Sequence, residues 1–426
     1  MAAIFVYFIL PALLLILGLP IFVVLTLTST AAIVFIAHVP TDAIQTAMFG
    51  SLDNFPLLAV PFFVLAGEIM GRGGIATRVV NWVVSLIGGI RGSLAVTTVA
   101  SSELFGAMAH TSVGTVVAIG RLLFPSLTKH GYNERFAVSL ITSSGAVAVI
   151  IPPSISMILY AMTAQVSAIQ LFTAGILPSL LIGLVDAVYV LVYSRVKAVP
   201  LTDKARWKNI WASTKEASWA IGTIVVIFGG IYGGVFTPTE AAGVAVVYSL
   251  FVAMVIYREI GLAELWQVIV NSVYLIAQIL IIVTGAGIYS WLMTTSGIPQ
   301  QLIGGIEALH LPGWQMLLFV NLGLLLAGSF LEPPAAILIL TPLLLPVVAS
   351  EGINPIHFGI IMAVNLSIGL YMPPFGLNLF AARAIFNVPM GTIYRGVLPF
   401  VVVNFAALLV ITYLPSISMV LLRLGH

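Results

Sequence analysis

Cysteine is absent and charge is scarce. None of the 426 residues is Cys, so neither a disulfide nor a thiolate metal site can form. Lys and Arg number 16 and Asp and Glu 14, together 7% of the chain, against roughly a quarter in ordinary soluble domains. So few charges cannot cover the surface of a water-soluble protein of this size. That excludes a soluble enzyme, a nucleic-acid binder and a disordered scaffold. No GxxxxGK[ST] loop occurs, so the chain has no ATP-binding P-loop. The six His show no HExxH or related spacing, which argues against a metalloenzyme. A net charge of +2 carries no steering message. The first basic residue is Arg72, so the N-terminus lacks the basic region of a cleavable signal peptide.

What is present is apolar length. Nine apolar residue types make up 61% of the chain, and mean hydropathy is +1.17. Runs such as Ile4–Leu27, Ile169–Val192 and Val397–Leu422 are continuous. A transmembrane barrel would instead show segments of about ten residues with alternating polarity. About 20 residues carry a helix across hydrocarbon, so the chain reads as an all-α polytopic membrane protein. Crossings are predicted at 4–26, 29–48, 56–71, 133–163, 170–195, 217–236, 240–257, 267–293, 356–385 and 394–422. Two blocks, 93–127 and 315–348, are long enough for two short helices each and hold small and polar residues centrally. They read as hairpins that enter and leave on one side, with tips inside protein or a water-filled cavity. With the N-terminus outside, this arrangement puts 14 of the 16 Lys and Arg inside, as the positive-inside rule requires. Treating 93–127 as one crossing would place the 196–216 cluster outside. That segment reads as a cytoplasmic linker lying on anionic lipid.

The second half repeats the first at an offset of 221. Pro125, Gly131, Asn133, Pro152 and Pro153 match Pro346, Gly352, Asn354, Pro373 and Pro374. The same offset pairs the tips 106–115 and 327–336, and the Gly-rich stretches 75–91 and 298–312. An odd number of crossings between copies inverts the second. Inverted repeats with interrupted helices are the signature of secondary transporters.

Chemistry concentrates at the interruptions. Each Pro removes an amide donor and frees a carbonyl one turn back. From Ser143–Ser144–Gly145 to Pro152–Pro153, and from Asn365 to Pro374 with Ser367 and Gly369 between, carbonyls and hydroxyls are placed to hold a hard cation without carboxylates. Acids inside a membrane are costly and usually functional. Glu332, in the second tip, either accepts bonds from tip amides or touches an ion. Glu103 lies early in the first hairpin. Glu240 follows Thr237–Pro238–Thr239 and reads as a helix start, with Thr239 as its cap. Asp186 and Glu68 read as partners across helices. His110 either binds substrate, shuttles a proton or is satisfied by backbone carbonyls. No converging acid, base or metal cluster is legible, which argues against an enzyme. A channel would require a pore ring built by oligomerisation.

The segments GSFLEPPAAILILTPLLLPV, GINPIHFGIIMAVNLSIGLYMPPFGLNLFAA and RLLFPSLTKHGYNERFAVSLITSSGAVAVIIPPSISMILYAM resemble the large membrane subunit (the DctM-like M subunit) of tripartite ATP-independent periplasmic (TRAP) transporters. That family belongs to the ion transporter superfamily, and the likeness covers essentially the whole chain. The resemblance implies an elevator-type carrier in the bacterial or archaeal inner membrane, with a periplasmic N-terminus. It implies Na⁺-driven uptake of an organic acid, such as a C4-dicarboxylate or sialic acid, with no organic cofactor. It implies two partners: a separate small membrane subunit and a periplasmic substrate-binding protein. One Na⁺ is implied near Ser102, Gly106, Gly145, Ala148 and Pro152, and a second near Gly328, Glu332, Gly369 and Met372. Substrate is expected between the tips, with His110, Thr111, Ser112, Ser144, Asn365 and Asn378 as candidate contacts. Many relatives have a small-residue run such as GSA where this chain has Ala107–Met108–Ala109–His110–Thr111. The division expected is a scaffold (1–71 and 217–293), arms (72–91 and 294–314) and a transport domain (92–195 and 315–426) with broken helices at 133–163 and 356–385. The alternative is a stand-alone dicarboxylate or citrate carrier of the same superfamily.

The charge count generates a topology test. Asp203→Cys, in the 196–216 segment, should react with impermeant thiol reagents in inverted vesicles. Labelling in intact spheroplasts would refute the sidedness.

Overall fold

The structure, a computed structural model, describes residues 5–37, 40, 42–202, 205–308 and 312–424. Those residues are nearly all helical and contain no strand. Hydrocarbon dictates this, because it offers no hydrogen-bond partner and a helix satisfies its backbone within one segment. Among the described residues, seven helices are long and apolar enough to cross a membrane.

The N-terminal region departs from the two expected crossings. A π-helical turn, Phe5–Ile9, leads into α1 (Leu10–Ile16). Gly18 then takes a left-handed φ of +81° and Pro20 caps α2 (Ile21–Ala32), which ends in a π-helical turn, Ile33–Ala37. A window average over apolar residues hides a Gly-x-Pro break inside 4–26. α3 (Asp42–Leu52) and α4 (Ala59–Arg72) follow, then the short α5 (Ile75–Leu86).

The first hairpin is α6 (Ser93–Ala109) and α7 (Ser112–Lys129). The first interrupted helix is α8 (Glu134–Ala146), a 3₁₀ turn at Val147–Val149, then α9 (Ile155–Ala164). α10 (Ala168–Val196) is a long crossing. α11 runs unbroken from Trp207 to Tyr232, so about half of the expected linker is the start of the helix that carries the expected crossing 217–236. Its Lys208, Lys215 and Glu216 lower the hydropathy, yet all have good helix propensity. Trp82 Nε1 donates to Thr214 Oγ1 at 3.0 Å and Ser85 pairs with Ser213 at 2.6 Å, laying α5 along this extension. Asp203 and Lys204 lie outside the described residues.

α12 (Pro238–Phe251) starts in a capping box. Glu240 Oε2 accepts from Thr237 N at 2.8 Å, so the helix-start reading of Glu240 is met, with Thr237 as the cap in place of Thr239. α13 (Leu262–Thr295) and α14 (Ile298–Ala308) precede the second hairpin, α15 (Gly313–Phe330) and α16 (Pro333–Ser350). The second interrupted helix is α17 (Pro355–Gly369) and α18 (Leu377–Phe386). The expected crossing 394–422 is split into α19 (Met390–Tyr413) and α20 (Ser416–Leu424), because Pro415 forces Leu414 out of helical geometry.

Helix limits recur at the offset read from sequence. α7 and α16 coincide residue for residue when 221 is added. Asn133 and Asn354 cap α8 and α17 alike, each side-chain oxygen accepting a backbone N–H at 2.8 Å. Pro152–Pro153 and Pro373–Pro374 are both cis. The packing partners sort into two sets. α13 lies on α2 and α3, and α4 on α12. The hairpins instead pack on the interrupted helices, α7 on α8 and α15 on α17, with α10 and α19 between them. α4 meets α6, and α13 meets α16, where the sets touch.

The hairpins dock through glycine. A Cβ on Gly369 would run into the backbone of Gly328. Gly369→Leu should therefore cost about 1–3 kcal/mol, the usual range for overpacking. Gly323→Ala, where a Cβ meets nothing within 4 Å, should be neutral. Thermal unfolding in detergent checks this; equal melting of both variants would show that the close approach is not needed.

Candidate functional site

Each interruption lies against the tip of a hairpin. At the first, α6 ends on His110, whose φ of 54° turns the chain, and α7 begins after extended Thr111. The His110 ring shares a hydrogen bond of 2.8 Å between Nδ1 and the Pro153 carbonyl. Its edge rests against Phe63 of α4, with centroids 4.6 Å apart. Nδ1 thus has the backbone-carbonyl partner of one sequence reading, while Nε2 is buried with no partner. Ser112 Oγ lies 3.1 Å from the Gly145 carbonyl and accepts from Asn378 Nδ2 at 2.7 Å. Asn378 Nδ2 also reaches the Thr142 carbonyl at 3.1 Å. His110, Ser112 and Asn378 thus converge on one break, each held by protein partners. Thr111 is half-buried at the same turn.

The first implied ion site is compact. A Cβ on Gly106 would lie 2.7 Å from Ala148, and one on Gly145 would lie 2.5 Å from Val116 Cγ2. Glycine at both positions brings α6 and α7 directly onto the unwound stretch. Pro152 is buried beside it, and Ala148 is wholly buried. Ser102 and Ser144 are also fully buried, and neither Oγ has a hydrogen-bond partner. Orphaned hydroxyls near freed carbonyls are what a cation that takes neutral oxygens needs.

The second site has the same construction and a different exposure. Gly328 and Gly369 touch through backbone, and Met372 N donates to the Gly369 carbonyl at 3.1 Å. Glu332 stands at the start of α16 without a side-chain cap bond, and it is exposed. The expected acceptance of tip amides by its carboxylate is absent. Phe330 and Phe375 pack with tilted rings, centroids 4.8 Å apart, and are about half exposed, at 58% and 50%. The first tip is covered by α4, where a Cβ on Gly67 would sit 2.6 Å from the Ala109 carbonyl. The second tip has no such cover.

Asn365 does not join the other substrate candidates. Its Nδ2 donates to Asn321 Oδ1 at 2.7 Å and to the Ile361 carbonyl at 2.8 Å, towards α15. Ser367 Oγ donates to the Ala146 carbonyl at 2.8 Å, a bond between the two interruptions. Asp186 and Glu68 are not partners. Glu68 lies 3.8 Å from Arg72 on its own helix, and Asp186 accepts from Asn404 at 3.1 Å. An i,i+4 basic residue was the nearer signal for Glu68.

Sequence reading missed a cavity of about 550 Å³ between α3, α9, α13 and α16. Thr46, Ser51, Asn54, Gln165 and Ser290 give it a neutral polar lining. None of these residues belongs to a repeat landmark or carries charge, so no local pattern marks them.

With this geometry described, comparison with known proteins is informative. Residues 8–417 match the family model "Tripartite ATP-independent periplasmic transporter, DctM component". The C4-dicarboxylate TRAP transporter large permease protein DctM of Pseudomonas aeruginosa is 40% identical over 374 residues, 88% of each chain. The isethionate TRAP transporter permease protein DctMQ of Oleidesulfovibrio alaskensis is 37% identical over 96% of this chain and 64% of its own length. The 2,3-diketo-L-gulonate TRAP transporter large permease protein YiaN of Escherichia coli is 34% identical over 95% of this chain and 96% of its own. Among solved structures, the Alcanivorax borkumensis YdaH transporter matches with a TM-score of 0.67 over 89% of this chain and 90% of that one. At 15% identity that likeness is one of fold. A family match over nearly the full length, joined to close relatives of the same kind, means that the chain belongs to the DctM family of TRAP transporter large permease subunits.

Proposed function

We propose that this subunit is a Na⁺-coupled importer of an organic acid. The observation that carries the proposal is the pair of orphaned, wholly buried hydroxyls, Ser102 and Ser144, at a glycine-lined break in the helix. Neutral oxygens and freed carbonyls suit Na⁺, and an ion gradient replaces the P-loop that the sequence lacks. A second Na⁺ binds at the other copy, near Gly328, Glu332, Gly369 and Met372. Substrate binds between the tips. The helix N-termini of α7, α9, α16 and α18 converge at tips and breaks, and helix N-termini favour a carboxylate.

The two copies are inverted, and the chain works as an elevator. Residues 1–71 and 217–293 form the scaffold, and 92–195 with 315–426 move past it with ion and substrate aboard. The division follows the two packing sets, which meet at α4–α6 and α13–α16. The arms 72–91 and 294–314 connect them. Arg78 of the first arm pairs with Glu259 at 2.6 Å and stacks on Tyr257 at 3.8 Å. These contacts anchor α5 to the scaffold, so the bend falls after it, at Gly89 and Gly92, both with positive φ. Residues 309–311 of the second arm lie outside the described residues.

The subunit works in the inner membrane, N-terminus outside, with a small membrane subunit and a periplasmic binding protein that brings substrate. The matching family and relatives are components of TRAP systems, so a stand-alone carrier is not favoured. Relatives are named for C4-dicarboxylate, isethionate, ectoine and 2,3-diketo-L-gulonate. That spread, on similar permeases, fits a selectivity set largely by the binding protein. The acid transported here is a C4-dicarboxylate or a related carboxylate, with sialic acid in the same class.

Uptake into vesicles carrying all three components should need inward Na⁺, and undiminished uptake with K⁺ in its place would refute the coupling. Ser102→Ala and Ser144→Ala should each raise the Na⁺ concentration for half-maximal uptake roughly tenfold, the equivalent of about 1.4 kcal/mol; unchanged Na⁺ dependence in both would move the ion elsewhere. A disulfide between α13 and α16 should stop turnover and be rescued by reductant. Turnover that continues through that crosslink would replace the elevator with local gating.

A further inference from the structure

A separate group of oxygens lies between α6, α10 and α19, and neither tip uses it. Asp186 on α10 is wholly buried, and Asn404 on α19 is 1% exposed. Asn404 Nδ2 donates to Asp186 Oδ1 at 3.1 Å and to the Tyr371 hydroxyl at 2.8 Å. Glu103 enters from α6. Its carboxylate lies over Gly183, one turn before Asp186, where a Cβ would collide with it. Glu103 Oε1, Asp186 Oδ2 and Asn404 Oδ1 are all buried without a hydrogen-bond partner.

Two acids meet here with no counter-charge. Among the described residues the ion pairs are Glu68–Arg72 and Glu259–Arg78, and neither acid of this group takes part. Buried carboxylates without a partner are strongly unfavourable. The fold itself does not ask for them, since the offset of 221 carries Glu103 and Asp186 onto apolar Leu324 and Ala407. Gly183 clears room for the carboxylate. A shared proton would offer one donor to three orphaned acceptors. A metal cation would satisfy all three, and with one of the two carboxyls protonated a single positive charge balances the other.

The oxygen count selects the ion class. Two carboxylates, one amide oxygen and the Tyr371 hydroxyl supply about four protein ligands. Ca²⁺ takes roughly six to eight, and Mg²⁺ gives up its waters reluctantly. Four protein oxygens fall short of either shell. We propose that Glu103, Asp186 and Asn404 hold a monovalent alkali cation, distinct from the ions at the two tips. Glu103 and Asp186 come from the first copy, and Asn404 and Tyr371 from the second. The ion therefore fastens the two copies to each other and stays bound through the transport cycle.

The test uses the full chain in lipid nanodiscs, equilibrated with radioactive Na⁺ or Rb⁺. Wild type should retain one more ion per chain than Asp186→Asn with at least one isotope, and the isotope names the ion. Glu103→Gln, at a half-buried position, gives a second reading should Asp186→Asn fail to fold. Anomalous scattering from Tl⁺-soaked crystals should show a peak among the three orphaned oxygens. Equal ion counts in wild type and both variants, or a Tl⁺ map empty beside Asp186, would overturn the site. Neither residue lies at a tip, so that failure would leave Na⁺ coupling at the tips untouched.

Discussion

Everything in this fold depends on how unwound backbone is sheltered from hydrocarbon. A lipid-facing break would leave amides and carbonyls unpaired at several kcal/mol each. Here each break lies beneath a hairpin from its own copy. The cover works because residues at the contact are small: Gly106 on Ala148, Gly145 on Val116, Gly328 on Gly369. Any Cβ at these glycines would push the hairpin off and expose the break. The same closeness excludes water, so the freed carbonyls and the Ser102 and Ser144 hydroxyls keep unmet demand for a partner. Structural shelter and the proposed ion affinity would thus be two results of one packing arrangement.

The two copies use this arrangement differently. In the first, the tip is pinned by His110 to Pro153, by Ser112 to Asn378 and by Phe63. In the second, Glu332, Phe330 and Phe375 are uncovered. An alternating carrier needs that inequality, because the surface that covers one tip must uncover the other when the domain moves. The bond from Ser367 to the Ala146 carbonyl ties the two breaks together. That link couples the two breaks, in keeping with the proposed motion of the whole unit.

Backbone-level features were legible in the sequence because they are written in Gly, Pro and Asn. Pro152–Pro153 and Pro373–Pro374, with Asn133 and Asn354, mark breaks and caps at one offset, and the helices obey it. Gly18–Leu19–Pro20 carried the same kind of signal, but continuous hydropathy around it concealed the break. The start of α11 at Trp207 was hidden for the opposite reason, since its polar first turns look like a loop. Side-chain partners were not legible. Asn365 turns to Asn321, and Asp186 to Asn404, a residue 218 positions away. No periodicity encodes which helix lies opposite, so these side-chain partners left no signal in the chain.

The distribution of charge limits how an anion can cross. Nearly all Lys and Arg belong to cytoplasmic segments on the sidedness proposed, and the cavity between α3, α9, α13 and α16 has none in its lining. A carboxylate bound between the tips, as proposed, would meet the N-termini of α7 and α16 there. Its charge must be balanced by the partial positive charge of helix N-termini, each equivalent to about half a unit, and by bound cations. On the proposed Na⁺ coupling the ions do more than supply energy, because they balance the acid and bring the loaded domain towards neutrality. A moving domain that crosses a low-dielectric barrier must be near neutral, because the cost of carrying net charge rises steeply there. Under the proposed mechanism electrostatics then supplies the coupling, since an acid-loaded domain without its ions would carry net charge into the barrier.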